Sequence, residues 1–534
     1  MHTEGYKNLL SPRIPAIRNQ ALIGMSLFVL ALWLAWIVGG KIVAQDMRSI
    51  LYAVLMFAGC VVVVTVLRNW RTGFYLFFVW MLFEDLVRKF MGNNLELFFG
   101  KDVLLMFVYI ALFVEIRRGR EKTFRPPFIL FLGLFVWLGV IQVFNQNSPS
   151  VLYGLLGFKV YFYYIPLLFV GYALIRNDAD LRKFLVVSAV LAGLISVLGI
   201  IQAIVGNSFL NPEVLAPELQ DLGNLTKVTP LSNRALSLPD SVFVSSGRFD
   251  EYIVWMFILT VGTAAYFLLH TARHRRLIFA VAGILGVATL LSGSRSTVVG
   301  VVMSALVLPL AFLWGAPWRW GQAHRLGKAI RRTAIVTTLA LTALILVFPE
   351  AAGSRIAFYA ETLDPRSAAY EGGTRSWDYP IENLLSAFGQ PNWLLGNGIG
   401  TASLGGQYVA KVLGTRPLNL AVEEGYGQLI VEMGIVAPFL WILWTGSVLY
   451  YSWKVARRLR DTRLFPIAFA ITWYAFMLLY VFTYSGLPAY QNFVSNAYLW
   501  LLLGILFRLP DLLVSVQPPG LVPLKRPILR GFQF

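Results

Sequence analysis

The sequence predicts an all-α polytopic membrane protein with about 14 transmembrane helices, and residues 1–534 are expected to form a single integral membrane domain. Hydrophobic residues make up 57% of the chain and charged residues only 13%, whereas soluble domains carry roughly 25% charged residues. Apolar runs long enough to cross a bilayer recur along the whole chain. These observations exclude a soluble enzyme, a disordered chain and a disulfide-rich scaffold.

Each long apolar run is predicted to form a helix, because lipid cannot satisfy free backbone amide groups. The first run is longer than a signal-peptide core and lacks an A-x-A cleavage site, so we predict a retained helix. The third run is short. In order, the predicted spans are 21–39, 50–67, 72–83, 102–115, 126–144, 151–174, 184–205, 252–270, 277–291, 297–314, 334–349, 426–451, 465–484 and 493–507.

The distribution of Lys and Arg predicts the orientation of these helices. With the N-terminus in the cytoplasm, the cytoplasmic segments contain 30 of the 45 basic residues and seven of the 27 acidic residues. The net charge of +18 is therefore a topology signal facing anionic lipid, and no nucleic acid is expected as a partner. Both termini are predicted to be cytoplasmic. Chemistry is expected on the outer face, where three connections are long: 84–101, 206–251 and 350–425.

The sequence predicts neither a cofactor nor a metal site. The single cysteine, Cys60, lies in an apolar run, which excludes an intrachain disulfide and a cysteine metal site. Among the four histidines, His270 and His274 alone have metal-ligand spacing, and they lie in a basic cluster.

The clearest motif is Ser-Gly-Ser-Arg-Ser at 292–296, in the outer turn between two adjacent predicted helices. Gly293 permits a tight turn, and Ser294 and Ser296 can cap the next helix and donate hydrogen bonds. Backbone amides at the helix start and the Arg295 guanidinium together form an anion site. The alternative is a capped hairpin with a snorkelling arginine.

Two further arginines lie in the outer loops. Arg248, in the segment Ser-Ser-Gly-Arg-Phe-Asp-Glu, can reach a phosphate or pair with Asp250 or Glu251. Arg375, in the segment Gly-Gly-Thr-Arg-Ser-Trp, is by itself typical of a flexible turn with a surface arginine.

Acidic residues mark the point where the longest outer loop re-enters the membrane. Glu423 and Glu424 are adjacent carboxylates close to hydrocarbon, so repulsion and partial desolvation raise the proton affinity of at least one. That property suits a general base for a sugar hydroxyl. The alternative is a solvated acidic helix start. Glu432 lies two turns deeper, and an intramembrane carboxylate is a functional candidate by default.

Several other polar and aromatic residues bear on the outer face. Lys159 is predicted to lie about 12 Å below the outer surface at helical rise, facing protein or water rather than lipid. Arg88 and Lys89 belong to an outer amphipathic element, for which the alternative is an interfacial helix with an i,i+4 pair between Glu84 and Arg88. Four outer aromatic residues can stack on sugar rings: Trp377, Trp393, Tyr408 and Tyr426.

These motifs together resemble the bacterial O-antigen ligase/polymerase superfamily. The resemblance rests on the Ser-Gly-Ser-Arg-Ser turn, the Gly-Arg-Phe before a span, and the re-entry sequence Glu-Glu-x-Tyr-x-x-x-Ile-x-Glu-x-Gly. The Leu-Gly-Asn-Gly-Ile-Gly stretch at 395–400 is similar to the family's G-x-G segment. The charged stretch at 84–102 is similar to that of exopolysaccharide polymerase members. The resemblance covers roughly residues 80–440.

The resemblance implies a metal-independent, inverting glycosyltransferase with a GT-C-like fold and an undecaprenyl-diphosphate-linked glycan as donor. It implies that Arg295 and Arg248 hold the donor diphosphate, with Arg375 as a further contact. Family ligases have a His-Asn pair where this chain has Glu423 and Glu424. This difference favours a polymerase and leaves the identity of the base open. The supporting residues are Ser294, Ser296, Lys159, Arg88, Lys89, Tyr426 and Glu432.

The expected function is therefore a polysaccharide polymerase that acts on the outer face of the bacterial inner membrane. Its expected partners are a lipid-linked oligosaccharide and the bilayer, and a chain-length regulator is a further candidate. One alternative is an O-antigen ligase, which transfers the glycan to another lipid acceptor. A second is a lipid-linked oligosaccharide flippase or transporter, for which internal symmetry and charges near the midplane are typical. In this chain the polar residues lie instead near the outer surface of the bilayer.

Overall fold

The computed structural model describes residues 47–91, 95–211, 226–270, 274–318, 320–370, 372–403, 406–414 and 425–514. These ranges are helical almost throughout, which confirms an all-α multi-pass membrane protein. Within them, eight helices are long and apolar enough to cross a bilayer: Leu97–Arg117, Val151–Leu174, Asp178–Val205, Ser246–Leu269, Arg295–Gly315, Ile330–Val347, Phe465–Ser485 and Phe493–Leu513. The predicted span 21–39 lies outside the described residues.

The helices of the first half are α1 Met47–Arg68, α2 Trp70–Met91, α3 Leu95–Arg117, α4 Ile129–Val143, α5 Val151–Phe162, α6 Leu167–Leu174 and α7 Asp178–Val205. A two-stranded antiparallel sheet follows, in which β1 Thr226–Val228 pairs with β2 Ala235–Ser237.

The second half continues with α8 Ser246–Leu269, α9 Arg275–Leu291, α10 Arg295–Gly315, α11 Trp320–Val347, α12 Pro349–Leu363, α13 Tyr379–Ala387, α14 Gly406–Leu413, α15 Gly425–Met433, α16 Val436–Arg458, α17 Phe465–Phe476, α18 Thr483–Ser485, α19 Pro488–Gln491 and α20 Phe493–Val514. A π-helical segment, Met477–Phe482, joins α17 to α18 as one continuous helix.

The chain divides into two compact units. The first comprises residues 1–76 and 104–111, and the second comprises residues 77–103 and 112–534. The described part of the first unit is helical. All the candidate site residues discussed below belong to the second unit.

Helix α8 is the central element of the second unit. It packs against α7, α9, α10 and α17, and most of its side chains are buried. Small residues permit the closest helix contacts elsewhere in this unit. A Cβ at Gly171 of α6 would lie 2.1 Å from the Leu501 carbonyl oxygen of α20, and one at Gly504 would lie 2.1 Å from that of Leu168. These contacts explain why glycine occupies both positions.

Three predicted connections differ from the structure. Residues 84–91 continue α2 without a break, and α3 already begins at Leu95, so the predicted outer connection 84–101 consists mainly of the ends of these two helices. The predicted loop 206–251 contains the β-hairpin and the first turn of α8. The predicted loop 350–425 contains α12, α13 and α14, of which α13 matches the helical stretch that the sequence predicts at 380–388. The predicted span 426–451 is broken at Gly434, whose φ of +83° separates α15 from α16.

Candidate active site

A cavity of about 620 Å³ lies where α8 and α10 begin. Its lining comes from β1, the first turns of α8 and α10, the end of α12 with the chain after it, and the chain from 477 to 489. The charged, hydroxyl and phenol groups that line it belong to Lys227, Ser246, Asp250, Glu251, Ser294, Arg295, Ser296, Ser376, Tyr379, Tyr484 and Ser485. Its larger apolar side chains are Val299, Met303, Leu363, Met477, Val481 and Phe482.

The Ser-Gly-Ser-Arg-Ser turn forms one wall of this cavity. Gly293 adopts a φ of +73°, and a Cβ there would lie 2.7 Å from Leu238. This close approach requires glycine. Ser294 occupies the N-cap position of α10, but its hydroxyl makes no capping hydrogen bond. The predicted cap by Ser294 is therefore wrong. Its hydroxyl lies 3.0 Å from that of Ser296, and both groups face the cavity with Arg295.

Two residues of α12 hold this turn in place, and neither was predicted from the sequence to do so. Arg355 donates hydrogen bonds to the Leu291 oxygen (2.7 Å) and the Ser237 oxygen (2.8 Å). The Tyr359 hydroxyl accepts a hydrogen bond from the Gly293 amide at 3.0 Å. Burial raises the pKa of Tyr359 to about 12, so its hydroxyl stays protonated at neutral pH. The sequence did contain a signal for this role, because an Arg and a Tyr four residues apart lie on the same face of a helix.

Arg248 forms an ion pair with an acidic residue far away in sequence, and its charge also acts on Glu251. Its Nη1 lies 2.6 Å from Asp85 Oδ2, and its guanidinium lies 4.9 Å from the centre of the Phe493 ring. The Ser245 hydroxyl caps α8 by accepting a hydrogen bond from the Arg248 amide at 3.4 Å. Arg248 thus fixes the start of α8, while Gly247 just before it lines the cavity.

Asp85 belongs to a buried group of charges, which we call the ionic cluster. The Glu84–Arg88 pair predicted from i,i+4 spacing is confirmed at 3.4 Å, and Arg88 also lies 2.9 Å from Asp85. These side chains are at most 1% exposed, so an exposed interfacial helix is wrong for this segment. The cluster comprises Glu84, Asp85, Arg88, Lys89, Lys101, Asp102, Lys159, Asp240 and Arg248.

The ionic cluster joins parts of the chain that are far apart in sequence. Lys101 of α3 lies 2.9 Å from Glu84 Oε2. Lys89 lies 2.7 Å from Asp240 Oδ2 and donates to the Ser241 oxygen at 2.9 Å. Buried charges require such partners. The cluster therefore ties α2 and α3 to the segment that leads into α8.

Lys159 extends the ionic cluster into α5. Its Nζ lies 2.6 Å from Asp102 Oδ2 and 4.1 Å from the centre of the Phe98 ring. The Tyr164 hydroxyl donates to Asp102 Oδ1 at 2.9 Å. The Lys159 side chain is 16% exposed, which confirms that it faces protein rather than lipid.

Two carboxyl groups of α8 face the cavity and differ in their hydrogen bonding. Glu251 Oε2 accepts hydrogen bonds from Asn492 Nδ2 (2.7 Å) and Ser495 Oγ (3.0 Å). Asp250 is 9% exposed, and Lys227 and Ser294 interact with its carboxyl group. Its Oδ1 is buried, and no hydrogen-bond partner for that atom occurs in the part of the chain that the structure describes.

Glu432 anchors the Leu-Gly-Asn-Gly-Ile-Gly stretch and does not line the cavity. Its carboxylate accepts hydrogen bonds from the Tyr161 hydroxyl (2.8 Å) and the Ala402 amide (3.0 Å), and its backbone oxygen accepts one from the Gly398 amide (3.0 Å). Its side chain is fully buried. These contacts satisfy both carboxylate oxygens, so Glu432 positions residues 397–402 beside α5.

The remaining predicted site residues are described only in part. Glu423 and Glu424 lie outside the described residues. For Arg375, the backbone forms part of the π-helical turn Thr374–Asp378, and its side chain lies outside the described part. Tyr426 follows Gly425, and its ring centre lies 6.5 Å from that of Tyr484, which lines the cavity.

The chain matches no protein-family model, no curated protein and no solved structure. The chemistry of the site therefore follows from its geometry. Two helix starts meet at the cavity together with Arg295 and Lys227, an arrangement that favours an anion. The Asp250 and Glu251 carboxyl groups lie in the same cavity. Within the described ranges, no three His, Cys, Asp or Glu side chains are grouped so that they could hold a metal ion.

Proposed function

We propose that this protein is a polysaccharide polymerase of the bacterial inner membrane. It transfers a growing glycan from an undecaprenyl diphosphate carrier to the terminal sugar of another lipid-linked repeat unit, with inversion at the anomeric carbon. The reaction needs no metal ion. The proposal includes fourteen transmembrane helices in a GT-C-like arrangement. Both termini then lie in the cytoplasm, and the site faces the periplasm.

The composition of the cavity is the observation that carries this proposal. A lipid-linked diphosphate needs positive groups for its phosphates and an apolar surface for its chain. Arg295 and the start of α10 supply the first requirement. Val299, Met303 and Val481, which belong to apolar membrane-crossing helices, supply the second. A cavity with both properties fits a charged head group that remains attached to a lipid.

The proposed transfer has two electrostatic requirements. Negative charge develops on the diphosphate as its bond to the anomeric carbon breaks, and Arg295 can neutralise it with two parallel hydrogen bonds. The acceptor hydroxyl must lose a proton to a carboxylate. Glu423 and Glu424 are the sequence-based candidates for this base, and a Cβ added to Gly425, the next residue, would lie 2.9 Å from the backbone oxygen of Tyr484, which lines the cavity.

Arg248 and Arg375 are the further diphosphate contacts in this proposal. Arg248 is held by Asp85, so a phosphate would have to share or replace that carboxylate. The polar lining residues all come from segments that the distribution of basic residues places on the outer side. This common origin supports a site that faces the periplasm.

Polymer formation by the purified protein tests the proposal. The protein in lipid nanodiscs is incubated with lipid-linked repeat units extracted from cells that lack it, and products are separated by gel electrophoresis in excess EDTA. We expect a ladder of lengthened lipid-linked glycans. Transfer of one glycan to a different lipid indicates the ligase. Absence of any covalent product, with transbilayer movement of the donor, indicates the flippase.

Arg295→Ala tests whether polymer formation depends on the cavity. We expect it to fold normally and to form polymer about a hundred- to a thousandfold more slowly, the loss typical of a removed charge-stabilising group. Arg118→Ala is the matched control, because Arg118 lies 59% exposed in a surface ion pair away from the cavity. Equal ladders from both variants would contradict the diphosphate role of Arg295.

A further inference from the structure

The described part of the cavity lining contains two carboxyl groups, and they differ in their hydrogen bonding. Both lie near the start of α8 and line the same space as Arg295. Glu251 Oε2 already accepts two hydrogen bonds, from Asn492 and Ser495. These bonds tie α8 to α20 and its leading residue, so Glu251 has a structural task.

Asp250 differs from Glu251 in its burial and in its hydrogen bonding. Its side chain is more than nine-tenths buried, and its Oδ1 has no hydrogen-bond donor among the described residues. A buried acceptor without a donor is costly unless a ligand supplies the donor. A sugar hydroxyl supplies an O–H group of this kind. The orphaned oxygen thus points to a hydroxylated ligand in the cavity.

The position of Asp250 is fixed from both sides. On α8, the Ser245 cap and the Arg248–Asp85 pair hold the two turns that carry it. From other segments of the lining, Ser294 and Lys227 interact with its carboxyl group. Ser294 immediately precedes Arg295 in the turn before α10, so the carboxyl group lies beside the turn that carries the guanidinium. A donor diphosphate at Arg295 would have its sugar in the same cavity as Asp250.

We propose that Asp250 is the general base that activates the acceptor hydroxyl, an assignment that rests on the proposed polymerase function. The hydroxyl proton moves to an Asp250 carboxylate oxygen as the acceptor oxygen bonds to the anomeric carbon of the donor. The bond between that carbon and the diphosphate oxygen breaks, and its electron pair leaves with the lipid diphosphate. Asp250 then releases the proton to water, which restores the carboxylate.

The test compares donor binding with turnover in nanodiscs. Asp250→Asn keeps the shape of the side chain but is a much weaker base. We expect it to bind the lipid-linked donor with the affinity of the parent and to form polymer at least about a hundredfold more slowly. Asp461→Asn, at a 76% exposed side chain, is the control and should match the parent in both measurements.

Two further variants separate a catalytic from a structural role. Asp250→Ala should regain part of its turnover when formate is added, since a small carboxylate can enter the vacated space. Asp250→Glu keeps the carboxylate and should retain donor binding with slower turnover, and it decides the question if Asp250→Asn does not fold. Loss of donor binding together with turnover, without rescue by formate, would show a structural role and overturn the assignment.

The outcomes distinguish this assignment from the proposed function. If the parent forms a ladder and Asp250→Asn forms it at the same rate, the function stands and Asp250 is not the base. If Glu423→Gln or Glu424→Gln loses turnover while Asp250→Asn remains fully active, the general base is one of these two glutamates and not Asp250. If the parent forms no covalent product, the proposed function and this assignment both fail.

Discussion

The ionic cluster and the cavity lie in the same unit, but they differ in how their buried charged and carboxyl groups are partnered. In the ionic cluster, each of the nine charged side chains lies within 3.4 Å of an oppositely charged atom. In the cavity, Asp250 retains a buried oxygen without a partner among the described residues. Every charged group of the cluster thus has a partner of opposite charge, and the buried Asp250 oxygen can accept a hydrogen bond from a ligand.

The two regions are connected through α8. Arg248 belongs to the ionic cluster, while Gly247, Asp250 and Glu251 on either side of it line the cavity. The cluster can therefore fix the geometry of the cavity without contact with its contents. This arrangement places a rigid support directly behind a reactive surface.

The comparison is tested most strongly by breaking the ionic cluster. Asp85→Ala leaves Arg88 and Arg248 without their shared carboxylate. We expect the free energy of unfolding to fall by about 3–5 kcal/mol, because the variant leaves buried charge uncompensated. Unfolding by SDS in mixed micelles measures it. Glu115→Ala breaks an exposed ion pair and should cost no more than about 1 kcal/mol. Equal losses would show that the cluster is not structurally important.

The cavity should respond in the opposite direction. Asp250→Asn replaces a buried carboxyl group that lacks a complete set of partners with a neutral amide, so we expect the free energy of unfolding to rise by up to about 2 kcal/mol. Glu251→Gln, at the adjacent cavity residue, disturbs two hydrogen bonds and should lower it by about 1–3 kcal/mol. The same unfolding assay measures both. A marked loss of stability in Asp250→Asn would show that the Asp250 carboxyl group stabilises the fold, as the carboxylates of the ionic cluster do.

The smallest expected effect concerns the contact between α12 and the β-hairpin. Glu361 accepts hydrogen bonds from the Leu231 and Ser232 amides at 2.8 and 3.1 Å, and the hydrogen bonds from Ser232 and Leu231 hold its pKa below the ordinary value of 4.5. A carboxyl group with a lowered folded-state pKa stabilises the contact above that ordinary value. The stabilisation is lost as pH falls from 4.5 through the lowered pKa.

Hydrogen exchange of the Leu231 and Ser232 amides measures this effect. Protection is expected to decrease as pH falls below 4.5, after correction for intrinsic exchange. Glu361→Gln should show weaker protection that no longer depends on pH in this range. An unchanged pH response in the variant would assign the titration to another group.

Hydropathy predicted the eight described helices that are long and apolar enough to cross a bilayer, because hydrocarbon thickness fixes their length and composition. It failed at residues 84–101, where charged residues at the end of an apolar run indicated an outer connection with an amphipathic element. Those charges are buried by partners such as Asp240 and Arg248, more than a hundred residues away in sequence. Pairing of this kind depends on the tertiary fold, and spacing along the chain contains no record of it.

The candidate site was predictable to the extent that it depends on local chemistry. A Ser-Gly-Ser-Arg-Ser turn indicates a helix start with donors and a guanidinium, and Ser294, Arg295 and Ser296 do line one cavity. The importance of Asp250 was not visible, because it depends on which atoms lack partners after folding.

The most direct measurement of the central claim is a cryo-EM structure of the protein with a non-transferable lipid-linked diphosphate sugar bound. We expect the phosphates at Arg295 and the start of α10, the lipid chain against Val299 and Met303, and the sugar beside Asp250. Phosphate density at another site, with this cavity empty or filled by a lipid tail alone, would contradict the account.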